Sequence, residues 1–245
     1  MITSNDLVGF LGLIIVGAVA GAVNSVAGGG TLVSFPVLVV LGQPEIISNV
    51  TSMGATGVGS LSSALGYRKD TPVQRALFVL LVIPSVIGSI VGAAILAVTP
   101  VEIFRRVVPF LVLFATLLLA LRAVLTRRLS DSSSPERVTL IGRILGIFFQ
   151  LLVATYGGYF SGGLGIMMLG SFSVMGLRNI HRMNALKTPL GAIINLVSFV
   201  FLMIKGFVIW PLVILMSAGA IVGGYVGARL AIRVNPRLTY ALRCG

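Results

Sequence analysis

The sequence predicts an all-α polytopic membrane protein made of two inverted repeats, each a broken-helix hairpin plus about three transmembrane helices. Mean hydropathy is +1.08, and 57% of the 245 residues are hydrophobic against 10% charged. That is more apolar surface than a soluble core of this length hides, so the chain belongs in a bilayer. Two glycine clusters, Gly28, Gly29 and Gly30, then Gly162, Gly163 and Gly165, interrupt long apolar runs about 135 residues apart. Further matches share one offset of 136 residues: Thr51-Ser52 with Lys187-Thr188, Gly88 with Gly224, and Thr99-Pro100 with Asn235-Pro236.

The elements follow in order. Residues 1–9 carry Asp6 but no Lys or Arg, so the basic start of a secretory signal is missing, although Ala18-Val19-Ala20 mimics a cleavage site. The first apolar run, 7–41, is therefore read as retained. Its glycines divide it into a long arm and a short one, 31–41. At about 1.5 Å per residue a dozen residues rise about 18 Å, too little to cross about 30 Å of hydrocarbon. Runs 46–67, 76–98 and 103–125 are uninterrupted and long enough to span. The polar stretch 130–136, SDSSSPE, is the linker between a first repeat, 1–129, and a second, 137–245. Run 138–177 is again broken, with short arm 166–177, and spans 184–204 and 207–232 follow. Pro236 onward matches the start of the first repeat's last helix, but the chain stops at Gly245, so the final helix is expected to be missing or truncated.

Charge sets the orientation. The formal net charge of +12 would point to nucleic acid in a soluble protein, but here 14 of the 18 basic residues cluster between apolar runs, where they act as topology signals. No nucleic-acid partner is expected. Placing those clusters in the cytoplasm leaves Arg105, Arg106 and Lys205 outside and Lys187 within a span. Both ends of 7–41 then face outside and both ends of 138–177 face inside, so each broken run is a hairpin, and the two enter from opposite faces. In the competing arrangement each broken run is one interrupted span and the repeats are parallel.

Irregular backbone inside a membrane strands N–H and C=O groups, at several kcal/mol each, unless protein, water or a ligand satisfies them. The glycine clusters are accordingly expected to end one arm and present the N-terminus of the next, with Thr31 as a cap and Ser161 beside the second break. Exposed amides and the positive end of the helix dipole there suit an anion. Isolated glycines such as Gly88 and Gly92 fit close helix packing instead. All six acidic residues fall at predicted ends or loops, which makes cation transport improbable. Lys187, just inside a span and followed by Thr188 and Pro189, either neutralises an anion or snorkels to the surface. Asn24, Ser25, Thr51, Ser52, Asn195 and Ser198 supply polar side chains suited to an oxyanion or to interhelical bonds.

Other features carry less. The sequon Asn49-Val50-Thr51 falls within a span and is discounted, and His181 reads as a solvated loop residue between Arg178 and Arg182. Phe148-Phe149 and Trp210 read as lipid-facing, packing or interfacial residues. The single Cys244 builds no disulfide or cysteine metal site within one chain. With no nucleophile–base pair and no phosphate-binding loop, neither an enzyme nor a cofactor is expected.

The stretch from Ala20 to Gly30, Ala-Gly-Ala-Val-Asn-Ser-Val-Ala-Gly-Gly-Gly, is followed by Pro36; Thr51-Ser52 lies beyond a Gly42-Gln43-Pro44 turn; Ser161-Gly162-Gly163-Leu164-Gly165 opens the second half. With these motifs the chain resembles the sulfite exporter TauE/SafE family, also known as toluene-sulfonate-uptake permeases. The resemblance covers nearly the whole chain. Two departures stand out: Ile166-Met167-Met168 after Gly165 is less glycine-rich than the first motif, and the final helix that the resemblance implies is expected to be absent or cut short.

The residues alone imply an anion; the resemblance implies a sulfur-containing one, sulfite or an organosulfonate. The expectation is a secondary transporter in a bacterial or archaeal cytoplasmic membrane, working by alternating access. Its expected substrate-binding residues are Asn24, Ser25, Gly28, Gly29, Gly30, Thr31, Thr51, Ser52, Ser161, Gly162, Gly163, Gly165, Lys187 and Thr188. Partners are the small anion and the lipid bilayer, with a coupling ion and homo-oligomerisation left open. An anion channel and a membrane-embedded assembly subunit are the alternatives.

Overall fold

The structure is a computed structural model that describes residues 7–67, 75–130, 140–177 and 180–233. Among these residues the chain forms nine α-helices and no strand: α1 (Leu7–Val26), α2 (Thr31–Val40), α3 (Glu45–Tyr67), α4 (Arg75–Val98), α5 (Val101–Ser130), α6 (Leu140–Tyr159), α7 (Leu164–Val174), α8 (Ile180–Ile204) and α9 (Trp210–Arg233). The expected linker, apart from Ser130, lies outside the described residues. So do the first six residues, Cys244 and the segment from Pro236 in which a truncated helix is expected.

Both glycine clusters fall at helix breaks. α1 and α2 are separated by residues 27–30, α6 and α7 by residues 160–163. Each break turns the chain back on itself. In the second, Leu164 packs on Gly157 near the tip while Met175 packs on Gly146 and Ser171 Oγ donates to the Gly146 carbonyl at 3.3 Å, so α7 returns along α6. In the first, Gly30 lies against Ala20 and Asn24, and Leu13 shares a buried cluster with Leu38.

Six helices, α1, α4, α5, α6, α8 and α9, are long and apolar enough to cross a membrane. α3, read from the sequence as a further span, is not among them, because small polar residues lower its hydropathy. The reason is its position: Asn49, Thr51, Ser52, Thr56 and Ser63 are fully buried, so most of the helix is wrapped by protein, with Leu61 and Leu65 exposed near its C-terminus. A helix enclosed over most of its length needs no continuous apolar stripe. Several of its hydroxyls bond backward along the helix, Thr56 Oγ1 to the Ser52 carbonyl at 2.6 Å and Ser63 Oγ to the Gly59 carbonyl at 2.8 Å.

Glycines permit the tightest contacts. On α9, Gly219, Gly223 and Gly227 face Ile14, Ala18 and Ala22 of α1, so these two helices run side by side in the same direction. Gly88 and Gly92 on α4 likewise face Leu151 and Thr155 of α6. A methyl at any of these positions would strike backbone or side-chain atoms of the partner helix, which explains the small-residue spacing. The direction of α3 follows from Gly59 against Ala220 and Gly66 against Ala228, which makes it parallel to α9. Gly54 against Phe199 and Gly57 against Leu196 make α8 antiparallel to α3. α4 runs with α8, since Leu77 and Leu81 share a core with Met183, Leu186 and Leu190, and Ser198 Oγ donates to the Ser89 carbonyl. Thus α1, α3 and α9 point one way and α4, α6 and α8 the other. The α1–α2 hairpin and the α6–α7 hairpin enter the bundle from opposite ends.

The pairings are reciprocal. α1 packs chiefly on α9 and α6 chiefly on α4, while α3 contacts α9 as α8 contacts α4. Exchanging α1 with α6, α2 with α7, α3 with α8 and α4 with α9 reproduces the scheme. Each hairpin therefore rests on the last of these four helices from the other half. α5 lies at the periphery, with Phe110, Leu113, Phe114 and Leu117 exposed; Phe148, Phe149 and Trp210 are exposed as well, as lipid-facing or interfacial residues are.

Candidate functional site

The two breaks meet. The Gly165 amide donates to the Gly28 carbonyl at 3.1 Å, and a Cβ on either glycine would lie 2.5 Å from the other's Cα. Only two glycines allow backbones this close, and Gly28 also adopts φ +79°, in the left-handed region that suits glycine. Beside them Thr31 Oγ1 and Ser161 Oγ are hydrogen-bonded to each other, both side chains buried.

Lys187 lies against this contact. α8 begins at Ile180, four residues before the sequence-predicted start, which carries Lys187 into the second helical turn with only 3% exposure. It does not snorkel. Its ammonium donates to the Ser25 carbonyl at 3.5 Å, near the C-terminal, negative end of α1, and its stem packs on Gly165. A cavity of about 20 Å³ opens here, with Asn24, Gly28, Gly165, Lys187 and Thr188 among its walls.

Four lining residues, Ser60, Leu164, Met168 and Gly191, were not expected, and Asn195 joins them. Ser60 Oγ accepts from Asn24 Nδ2 at 2.8 Å, while Asn24 Oδ1 accepts from the Gly30 amide at 3.4 Å. Asn195 is 3% exposed and its Oδ1 has no hydrogen-bond partner. A sequence signal for Ser60 does exist: Ser48, Ser52, Thr56, Ser60 and Ser63 follow one another at four- and three-residue steps, tracing a buried polar line along α3.

The other expected residues lie elsewhere on the breaks. Ser52 Oγ accepts from Ser34 Oγ at 2.9 Å, and Thr51 is buried with its hydroxyl unpartnered. Ser25 Oγ donates to the Ala22 carbonyl and packs on Gly227. Gly29 faces Leu119 and Gly163 faces Ala115, both on α5; Gly162 packs on Phe160, with its carbonyl accepting from Tyr156. Thr188 Oγ1 donates back to the Asn184 carbonyl at 2.6 Å. The fourteen expected residues thus form no single shell.

Two local expectations need correction. Thr31 is the first residue of α2 rather than its cap; the cap is Gly30, which offers no side-chain bond. The amides at the start of α7 are not open to a ligand in this conformation: Leu164 donates to Ser161, Gly165 to Gly28, and Ile166 and Met167 to Gly163. The break satisfies its own backbone and that of its neighbour. The Asn49 sequon is fully buried in α3, and the side chain of His181 lies outside the described ones. Among the described residues no group of three or more His, Cys, Asp or Glu could hold a metal ion.

The sequence profile of a family described as sulfite exporter TauE/SafE matches residues 13–244. The chain is 28% identical over 221 residues to a probable membrane transporter protein of Haemophilus influenzae, covering 90% of this chain and 84% of that one. A probable membrane transporter protein of a Sinorhizobium species is 26% identical, over 92% of this chain and 84% of its own. Escherichia coli strain K12 has a probable membrane transporter protein, YfcA, that is 24% identical over 92% of this chain and 82% of its own. No solved structure matches the chain.

Proposed function

Because the chain belongs to the sulfite exporter TauE/SafE family of multi-pass membrane transporters, we propose that it is a secondary transporter moving a small sulfur-containing anion, sulfite or an organosulfonate, across the cytoplasmic membrane by alternating access. The observation that carries this reading is the buried Lys187 ammonium at the junction of the two helix breaks, facing a small cavity with Asn24, Ser60, Thr188 and Asn195 on its walls. A cation held away from bulk water attracts an oxyanion far more strongly than the same cation at a surface. Lys187, Asn24, Ser60, Thr188 and Asn195 bring polar side chains within one small volume, and the Gly165 amide, held by Gly28 in this conformation, lies beside them.

Two hairpins entering from opposite ends support inverted repeats, the arrangement that lets one central site face either side in turn. On this reading the repeat boundaries stay at 1–129 and 137–245. The cavity has room for about one water molecule, too little for a sulfonate group, so it corresponds to a closed state rather than an open pore.

The test is uptake of radiolabelled sulfite or sulfonate by proteoliposomes. Lys187→Ala removes a charged donor of about 1.5–3 kcal/mol, so affinity for the anion is expected to fall about tenfold or more. Transport by Lys187→Ala at the wild-type rate and KM would refute the site.

A further inference from the structure

We propose that the tip of the α1–α2 hairpin is a built-in stand-in for the anion, occupying its donors until the substrate displaces it. The inference rests on the anion-transporter reading above. Two donors converge on this tip from the opposite half of the chain. Lys187 Nζ takes the Ser25 carbonyl and the Gly165 amide takes the Gly28 carbonyl, at 3.5 and 3.1 Å. Ser25 lies in the last turn of α1 and Gly28 just beyond it, at the negative end of the helix dipole, and the Ser25 carbonyl also accepts from the Tyr67 hydroxyl at 3.4 Å. A short stretch of backbone thus presents two oxygens to one ammonium and one amide, as a sulfite or sulfonate would.

The space between them agrees. The cavity beside these donors is about 20 Å³, and a tetrahedral oxyanion does not fit while the tip is in place. An anion that takes Lys187 and Gly165 must push Ser25 and Gly28 away. Moving that tip also strains the Thr31–Ser161 hydroxyl pair on the far side of the same break. Binding and separation of the breaks are then one event, because the same carbonyls cannot hold the donors and yield them at once. The glycines acquire a second purpose here: their missing side chains let the tip reach the donors at all.

A disulfide across the breaks tests this. In a Cys244→Ser background, Thr31→Cys with Ser161→Cys places two thiols where the hydroxyls now touch, within reach of a cross-link. The anion-free protein is expected to cross-link readily and a saturating organosulfonate, which unlike sulfite does not cleave disulfides, to slow the reaction at least severalfold. The oxidised protein should lose labelled-sulfonate binding at least tenfold and cease transport, and dithiothreitol should return both to the level of the same variant before oxidation. Oxidised protein that binds and transports like its reduced form overturns the inference. So does a pair that fails to cross-link without anion, since the breaks would then not be in contact, and so does cross-linking that the anion leaves unchanged. A wild-type protein that neither binds nor moves any such anion defeats the transporter reading itself, a separate result from these.

Discussion

Lys187 shows how little of a residue's role follows from its neighbours in the chain. A lysine near the start of an apolar run either turns to the headgroups or stays inside, and both fit the same sequence. Four more residues of α8 before the expected start, and the Ser25 carbonyl waiting at 3.5 Å, settle it in favour of the interior. Ser60 illustrates the same point. Nothing local distinguishes it from the other hydroxyls of α3, yet it alone among them is bonded to Asn24 at the cavity. Ser60→Ala leaves Asn24 Nδ2 without its acceptor and is expected to lower stability by about 1 kcal/mol. Ser63→Ala removes only a bond back along its own helix and should cost clearly less. Thermal unfolding of the purified variants in detergent compares them, and equal losses would contradict the assigned bonds.

Helices pack here by the absence of side chains as much as by their presence. Methyls at Gly17 of α1 or Gly223 of α9 would run into the carbonyls of Met216 and Ala18, whereas Gly12 and Gly170 have no atom within 4 Å of an added Cβ. Gly17→Ala and Gly223→Ala are therefore expected to destabilise by about 1–3 kcal/mol through overpacking. Gly12→Ala and Gly170→Ala should stabilise by about 0.5–1 kcal/mol, since an alanine in an open helical position loses less entropy on folding. A melting series in one detergent ranks the four, and destabilisation by the second pair would show that their surroundings are tighter than described. The spans and breaks themselves were legible because run length, glycine clusters and proline act locally. α3 was legible as a helix, but the extent of its burial was foreshadowed only by its line of small hydroxyl residues.

The two halves of the molecule are interlocked rather than adjacent. Since α1 rests mainly on α9 and α6 mainly on α4, neither half by itself covers the long arm of its hairpin. Fragments 1–130 and 131–245, expressed singly, are expected to aggregate, and co-expressed to form a complex that elutes as one species in size-exclusion chromatography. A single half that is monodisperse and helical alone would count against this. Membership of a bilayer, the all-helical architecture and the positions of the breaks were written in composition, spacing and charge, which act over a few residues or one helix turn. The contact of Gly28 with Gly165, the pairing of hairpins across the halves and the gathering of Asn24, Ser60, Lys187 and Asn195 around one cavity were not. Those depend on which helix faces come together when every buried group competes for a partner, a balance struck among residues more than a hundred positions apart.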